Sequence, residues 1–210
     1  MYRPRAFAID DLLALHAVIR ERVFATLAIA HGGHIEFAYA PVVLESGEGL
    51  GTIRFHLAKP NPVAALADGA RLSVSFVGPD AYVSPDWYET RTLVPTWNYI
   101  AVEGMGTARR LDRSGLLALL TDLSAQEEEK LRPKTPWTMD KVPEARRDAL
   151  LNAIDGFSLA FETLEGKFKL SQDKSAADFA GALGGLDARG DPPAKAVAAA
   201  MRAAVNRAGR

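Results

Sequence analysis

VFATLAIAHGGHIEFAYAPVVLESGEGLGTIRFHLA, residues 23–58, decides the fold. Three mostly apolar runs are separated by HGGH at 31–34 and by the glycine-rich stretch ESGEGLG at 45–51. Glycine adopts positive φ without steric penalty, so both gaps read as hairpin turns. A parallel arrangement needs a crossover of a dozen or more residues, and neither gap is that long. The runs therefore predict consecutive antiparallel strands. Pro41 lacks a backbone donor and predicts an edge or a bulge in the second of them. Within TIRFHLA, Ile53, Phe55 and Leu57 point one way, Arg54 and His56 the other. One face belongs to a core and the opposite face is basic.

Upstream, Asp10 or Asp11 can cap a helix over 10–22, in which Leu12, Leu15 and Ile19 repeat at helical spacing. His16 falls within it and is expected to be partly exposed. Downstream, Pro60 and Pro62 in KPNPVAALADG exclude a regular strand and admit a short helix. RLSVSFVG alternates again, AYVS is brief, and PDWYETRTLVP at 85–95 is a loop before the long strand WNYIAVEGMGTARRL. Helices follow at 112–131, capped by Asp112 or Ser114, and at 144–154. GFSLAFETLEGKFKL, 156–170, returns to strand alternation. Helices from DKSAADFAGAL and from Pro192 onward close the chain. Six or seven strands turned by glycine-rich hairpins predict a small antiparallel barrel with helical additions, in the α+β class and mainly β.

The 210 residues suffice for one sizeable domain, and the formal charge of −1 gives no global field for nucleic acid. Without cysteine there are no disulfides, no thiolate catalysis and no cysteine-ligated metal. Acidic residues stand where a signal peptide needs an apolar core, and no apolar run is long enough to span a membrane. A cytoplasmic protein without a membrane segment is the expectation.

His31 and His34 flank a turn, either as an exposed hairpin or as the start of a metal site; no third ligand is near in sequence. Arg54, His56 and Lys59 can converge on one phosphate-like anion, or form a solvated basic face. GEGLG and EGMG do not stand between a strand and a helix of a βαβ unit, which rules out a Rossmann loop. No G-x-x-x-x-G-K-[ST] is present, and no serine-nucleophile elbow is visible. YVSPDWYE and VPTWNY together hold Tyr82, Ser84, Trp87, Tyr88, Thr96, Trp97, Asn98 and Tyr99. So many donors among aromatics suit a flat heteroaromatic ligand, or a core whose hydroxyls find backbone partners.

FVGPDAYVSPDWYE (76–89), VPTWNYIAVEGMG (94–106) and GKFKLSQDKS (166–175) closely resemble signature segments of the PaiB-like family, the FMN-binding negative transcriptional regulators. FHLAKPNP and the opening MYRPRAF resemble that family as well, so the resemblance runs from residue 1 to about 180. It implies an FMN-binding antiparallel split β-barrel with flanking helices and a C-terminal helical extension. Residues 1–170 would form that domain, with inserted helices at about 112–152, and 171–210 the extension. It implies a homodimer with flavin at the subunit interface. The basic strand face of Arg54 and His56, with Lys59, would hold the FMN phosphate, where His56, Lys59 and Asn61 match family positions. Ser84, Trp87, Thr96, Trp97 and Asn98 match positions around the ring system or interface, and Lys169, Ser171 and Gln172 match the C-terminal motif. The sequence departs at Tyr39-Ala40, where many relatives carry histidine and leucine before the proline. The arginine-rich ending of pyridoxamine-phosphate oxidases is absent, so that activity is not expected.

The resemblance implies a regulator sensing redox state or a metabolite; the alternative is an FMN-dependent oxidoreductase. DNA is a candidate partner through Lys195, Arg202, Arg207 and Arg210, which equally suit a solvated helix.

Overall fold

The computed structural model describes residues 1–208, with side chains described through Val205. Eight strands and six α-helices occur among them, and every pairing whose register is resolved is antiparallel. The strands are β1 (Ala8–Ile9), β2 (Phe24–His31), β3 (His34–Glu45), β4 (Thr52–Ala58), β5 (Arg71–Val83), β6 (Thr96–Arg110), β7 (Ile154–Ala160) and β8 (Thr163–Lys169). The helices are α1 (Leu12–Arg22), α2 (Pro62–Leu66), α3 (Arg113–Glu129), α4 (Glu144–Leu151), α5 (Ala176–Arg189) and α6 (Pro192–Ala208). The chain forms two compact units, a larger one of 12–76 with 103–164 and a smaller one of 1–11, 77–102 and 165 onward.

In the larger unit β2, β3 and β4 are successive hairpin partners, as their turns dictate. Gly32 and Gly33 both take positive φ, at 57° and 83°, which matches the right-handed twist of the flanking strands. Pro41 stands where β3 changes partner: pairing with β2 runs to Phe24↔Pro41, and pairing with β4 begins at Val42↔Phe55. A residue without an N–H fits that junction. β4 pairs with β7, β7 also pairs with β6, and β2 pairs with the first part of β5. Gly69, just ahead of β5, donates to Ala108 of β6 at 2.9 Å.

Ile53, Phe55 and Leu57 are buried as their alternation predicts, and Phe55 stacks on Phe157 at 5.5 Å. Leu72, Val74 and Phe76 join this inner core. A second core lies on the outside of the sheet, where Leu116, Leu119 and Leu123 of α3 meet Val23, Val43 and Leu151. Asp112 caps α3 by accepting from Gly115 N at 2.7 Å. In the smaller unit β1 pairs with β8, and α5 packs on α6.

Several local expectations are corrected. β5 is one strand, not two: burial falls on even positions through Gly78 and on odd ones from Ala81. That one-residue change of phase at Pro79-Asp80, of the kind a bulge makes, reads locally as a break. Residues 156–170 are two strands, because Phe161 N turns to Gly51 O and Glu162 N to Met105 O. His16 is buried rather than partly exposed, since its ring bonds Leu50 O at 2.9 Å and Ser46 Oγ at 3.0 Å. No helix of the described residues is long and apolar enough to cross a membrane.

Candidate functional site

The first group of candidate residues lies in the larger unit, on β4 and the bend after it. The basic face of β4 is not open, because α3 lies across it. Gly156, opposite His56 in the β4–β7 register, faces Leu116 so closely that a Cβ there would stand 3.0 Å from Leu116 Cδ1. Arg54 on the same face is held by two carboxylates, with Nη2 at 2.6 Å from Asp122 Oδ2 and Nε at 2.6 Å from Glu45 Oε1. The Nε contact is an ion pair without an aligned hydrogen bond. Arg54 is therefore engaged by Asp122 and Glu45 rather than free to meet an anion.

His56 and Lys59 are less committed. His56 Nδ1 is buried with no hydrogen-bond partner, and burial pulls the imidazole below its ordinary 6.5. Lys59 is exposed; its backbone N–H bonds Ala153 O at 3.0 Å, and its ammonium has no partner among the described residues. The Lys59 side chain lines a cavity of about 180 Å³ together with Arg113, Asn152 and Gly156. Asn61 caps α2, its Oδ1 accepting from Val63 N at 2.9 Å.

The second group assembles in the smaller unit, where the start of β6 meets the end of β8. Asn98 is 1% exposed and donates Nδ2–H to Ser171 Oγ at 2.9 Å; the Ser171 hydroxyl is placed 3.2 Å from Asn98 Oδ1. Ser171 holds φ at 62°, a strained value for a residue with a side chain. Lys169 Nζ donates to Thr96 Oγ1 and, at 2.7 Å, to Trp97 O. Burial pulls the Lys169 ammonium below its usual value, against the attraction of Asp173. Gln172 is latched to its own strand end, accepting from Leu170 N and donating to Phe168 O. Trp97 is half exposed and meets Tyr82 edge to face at 6.3 Å. Thr96, Asn98, Lys169 and Ser171 border a cavity of about 120 Å³. The TWN and KLS segments, more than 70 positions apart, are thus brought together.

Ser84 and Trp87 shape the aromatic loop of the same unit. Ser84 caps the turn Pro85–Trp87 by accepting from Asp86 N at 3.3 Å. The Trp87 ring lies on α5, where a Cβ at Gly185 would stand 2.1 Å from Trp87 Cδ2 and one at Gly181 1.9 Å from Trp87 O. Trp87 is thus a packing anchor. Asp178, which the motif reading does not single out, ties the loop down, accepting from Thr90 N and Thr90 Oγ1, each at 2.9 Å. The legible signal was the S-x-x-D spacing of Ser175 and Asp178 at the start of α5. Tyr88 is buried beside this cluster, and burial pushes its phenol up.

The glycines of EGMG serve close packing in the larger unit. A Cβ at Gly104 would stand 2.5 Å from Phe161 Cε1, and one at Gly106 2.1 Å from Ala160 O. Exposed His34 bonds Glu36 at 2.8 Å. Among the described residues no three acidic or histidine side chains are grouped to hold a metal. Of the C-terminal cations, Arg202 pairs with Asp187, while the Arg207 side chain and Arg210 lie outside the described residues.

Comparison with known proteins assigns this frame. Residues 1–163 match the family described as "Putative FMN-binding domain". The chain is 30% identical over 202 residues to "Protease synthase and sporulation protein PAI 2" of Bacillus subtilis (strain 168), spanning 96% of each. Among solved structures it is similar to the FAD and heme binding protein from Mycobacterium smegmatis, with TM-score 0.57 and 17% identity over 77% of this chain and 73% of that one. It is also similar to the flavocytochrome Anf3 from Azotobacter vinelandii, with TM-score 0.57 and 14% identity over 77% and 69%. At such identities the structural likeness is one of fold. The family match over most of the chain, joined to the near full-length relative, assigns this protein to the PaiB-like family of FMN-binding proteins, and FMN is its cofactor.

Proposed function

We propose that the protein is a cytoplasmic, homodimeric FMN-binding split barrel that acts as a flavin-dependent negative transcriptional regulator. The observation that carries the regulatory reading is the near full-length likeness to the Bacillus protein, whose name refers to sporulation and states no flavin reaction. The split-barrel reading is supported by the strand pairings of the larger unit, which run β5–β2–β3–β4–β7–β6 and return to β5. Residues 1–170 are read as the flavin domain, with helices inserted at about 112–152, and 171–210 as a helical extension.

The residues present fit the cofactor. Lys59 offers an unpaired ammonium at a cavity it shares with Arg113, which suits a phosphate monoester; His56, whose Nδ1 is buried without a partner, does not line that cavity. Asn61, whose oxygen is taken by Val63 N, keeps its amide N–H groups to donate. Arg54 is committed to its two carboxylates, Glu45 and Asp122, and is left out of the phosphate contacts. Within the smaller unit, and separately, Trp97 and the Thr96–Asn98–Lys169–Ser171 cluster with Gln172 offer an aromatic face and fixed donors of the kind a flat ring system takes. Ser84 and Trp87 hold the loop that precedes it. Bound FMN supplies reversible electron and hydride transfer; the chain supplies binding, orientation and exclusion of water.

The homodimer is supported by an outward sheet face. Phe24, Ile35, Phe37 and Tyr39 of β2 and β3 share one side of the ladder and are each more than half exposed. The same side of β3 is covered by α3 farther along, at Val43, so the uncovered stretch is selective. Contiguous exposed apolar surface of this kind marks an interface.

Replacing Lys59 by alanine should weaken FMN at least tenfold, about 1.4 kcal/mol, and leave riboflavin unchanged, because only FMN brings the phosphate. Equal losses for both ligands count against Lys59 at the phosphate. Regulation is tested with FMN-loaded protein and duplex DNA from upstream of its own gene, titrated at several salt concentrations. Regulatory binding should be specific over scrambled duplex and fall steeply with salt. Bleaching of the flavin by NADH or NADPH under anaerobic conditions, without such DNA binding, would favour the oxidoreductase.

A further inference from the structure

A second cavity, of about 200 Å³, lies in the larger unit under the helical insertion, and the flavin residues do not line it. Its floor is the edge of the outer core, Leu120, Leu151 and Ile154. Its side is the connection between α3 and α4, which contributes Trp137 and Met139. That connection is fixed in place: Trp137 N donates to Glu128 Oε2 at 2.8 Å, and Lys134 pairs with the same oxygen. The cavity is thus framed by hydrogen-bonded backbone.

Two polar side chains reach this apolar wall, Ser124 and Arg147. Of the other cations of the insertion, Arg113 pairs with Asp148 at 2.5 Å, Arg132 with Glu129 at 2.7 Å and Lys130 with Glu127 at 2.8 Å, while Lys141 and Arg146 do not line the cavity. The Arg147 guanidinium stands 4.0 Å from Glu144 Oε1 and makes no hydrogen bond among the described residues. Glu128, the nearby carboxylate, is satisfied by Lys134 and the Trp137 amide. The one charged side chain that lines the cavity is therefore cationic and only loosely paired, with exposed Glu144. An apolar space beside a packed core forfeits dispersion contacts until something apolar fills it. A planar guanidinium at its wall matches a carboxylate in both charge and geometry.

We propose that this cavity binds a small amphiphilic monocarboxylate. Its alkyl or aromatic body fills the space against Trp137, Leu120 and Ile154, and its carboxylate meets Arg147, with Ser124 as a second donor. A dianion such as phosphate is disfavoured, because one guanidinium and one hydroxyl leave part of its charge unmet among apolar side chains. Leu151 and Ile154 border both this cavity and the one beside Lys59, but none of the proposed FMN contacts lines it, so the site does not rest on the flavin reading.

The experiment titrates FMN-loaded full-length protein with octanoate and with octanamide, reading tryptophan fluorescence and the melting temperature. Octanoate should bind saturably, raise the melting temperature and change the fluorescence; the fluorescence change should vanish in Trp137→Phe. Arg147→Gln should weaken octanoate about tenfold and leave the weaker binding of octanamide unchanged. Absence of saturable binding, equal affinity for acid and amide, or a full fluorescence response in Trp137→Phe would each overturn the proposal. Neither signal passes through the flavin, so repeating the titration on flavin-free protein separates failure here from failure of the flavin site.

Discussion

His56 holds a buried ring nitrogen with no hydrogen-bond partner on the face of β4 that the sequence reads as basic. Burial holds its ring below the ordinary 6.5, so the folded chain takes up that proton less readily than the unfolded one. Stability from this group is present above the unfolded value and is lost as pH falls through it toward the lower folded one. The melting temperature of flavin-free protein should therefore drop as pH falls below the ordinary 6.5, and His56→Gln should flatten that drop. Identical profiles would mean that His56 titrates alike in both states. Asn98 poses the opposite case, a buried amide that is satisfied. Asn98→Ala leaves Ser171 Oγ without its partner and should cost about 1–3 kcal/mol in urea unfolding, against little change for an exposed polar substitution. The sequence names both residues through family motifs, yet it cannot show that Asn98 meets Ser171 or that Arg54 is claimed by Asp122, 68 positions away. Such pairings are long-range and leave no periodic trace.

At the scale of elements, legibility follows how local the cause is. The β2–β3–β4 hairpins and the bounds of β4 are readable because turn glycines and strict alternation act within a few residues. The Asp112 cap of α3 is readable for the same reason. The single β5, the division of 156–170 and the two-residue β1 are not, because distant backbone partners decide them. Helix α5 shows how far this goes. Ala is a better helix former than Gly by about 1 kcal/mol, so Gly181→Ala looks stabilising from sequence. The Trp87 carbonyl stands where that Cβ must go, and a backbone atom cannot swing aside. Overpacking of this kind should cost about 1–3 kcal/mol net, read as a lower denaturation midpoint. Gly184→Ala, three positions on, meets nothing within 4 Å and should stabilise. Equal effects at the two positions would remove Trp87 as the anchor of α5.

At the scale of the whole molecule the decisive question is what covers the outward face of β2 and β3. Phe24, Ile35, Phe37 and Tyr39 form an exposed apolar stretch there, while Val43 farther along that side of β3 packs under α3. A stable interface buries about 800 Å² per partner and draws most of its energy from a few central aromatics. Phe37→Asp places a charge in the middle of the face without touching the inner core, since Phe37 points away from it. The variant should keep its far-UV circular dichroism and sediment as a monomer where the native protein sediments as a dimer. Tyr39→Asp, on the same side of the ladder, should do the same, whereas Val205→Asp, at an exposed position of α6, should leave the dimer intact. If flavin is held at the subunit interface, as the family resemblance implies, both monomeric variants lose FMN together with their partner. Monomers that still bind FMN at native affinity would place the cofactor within one chain, and dimers that survive both aspartates would move the interface off β2 and β3.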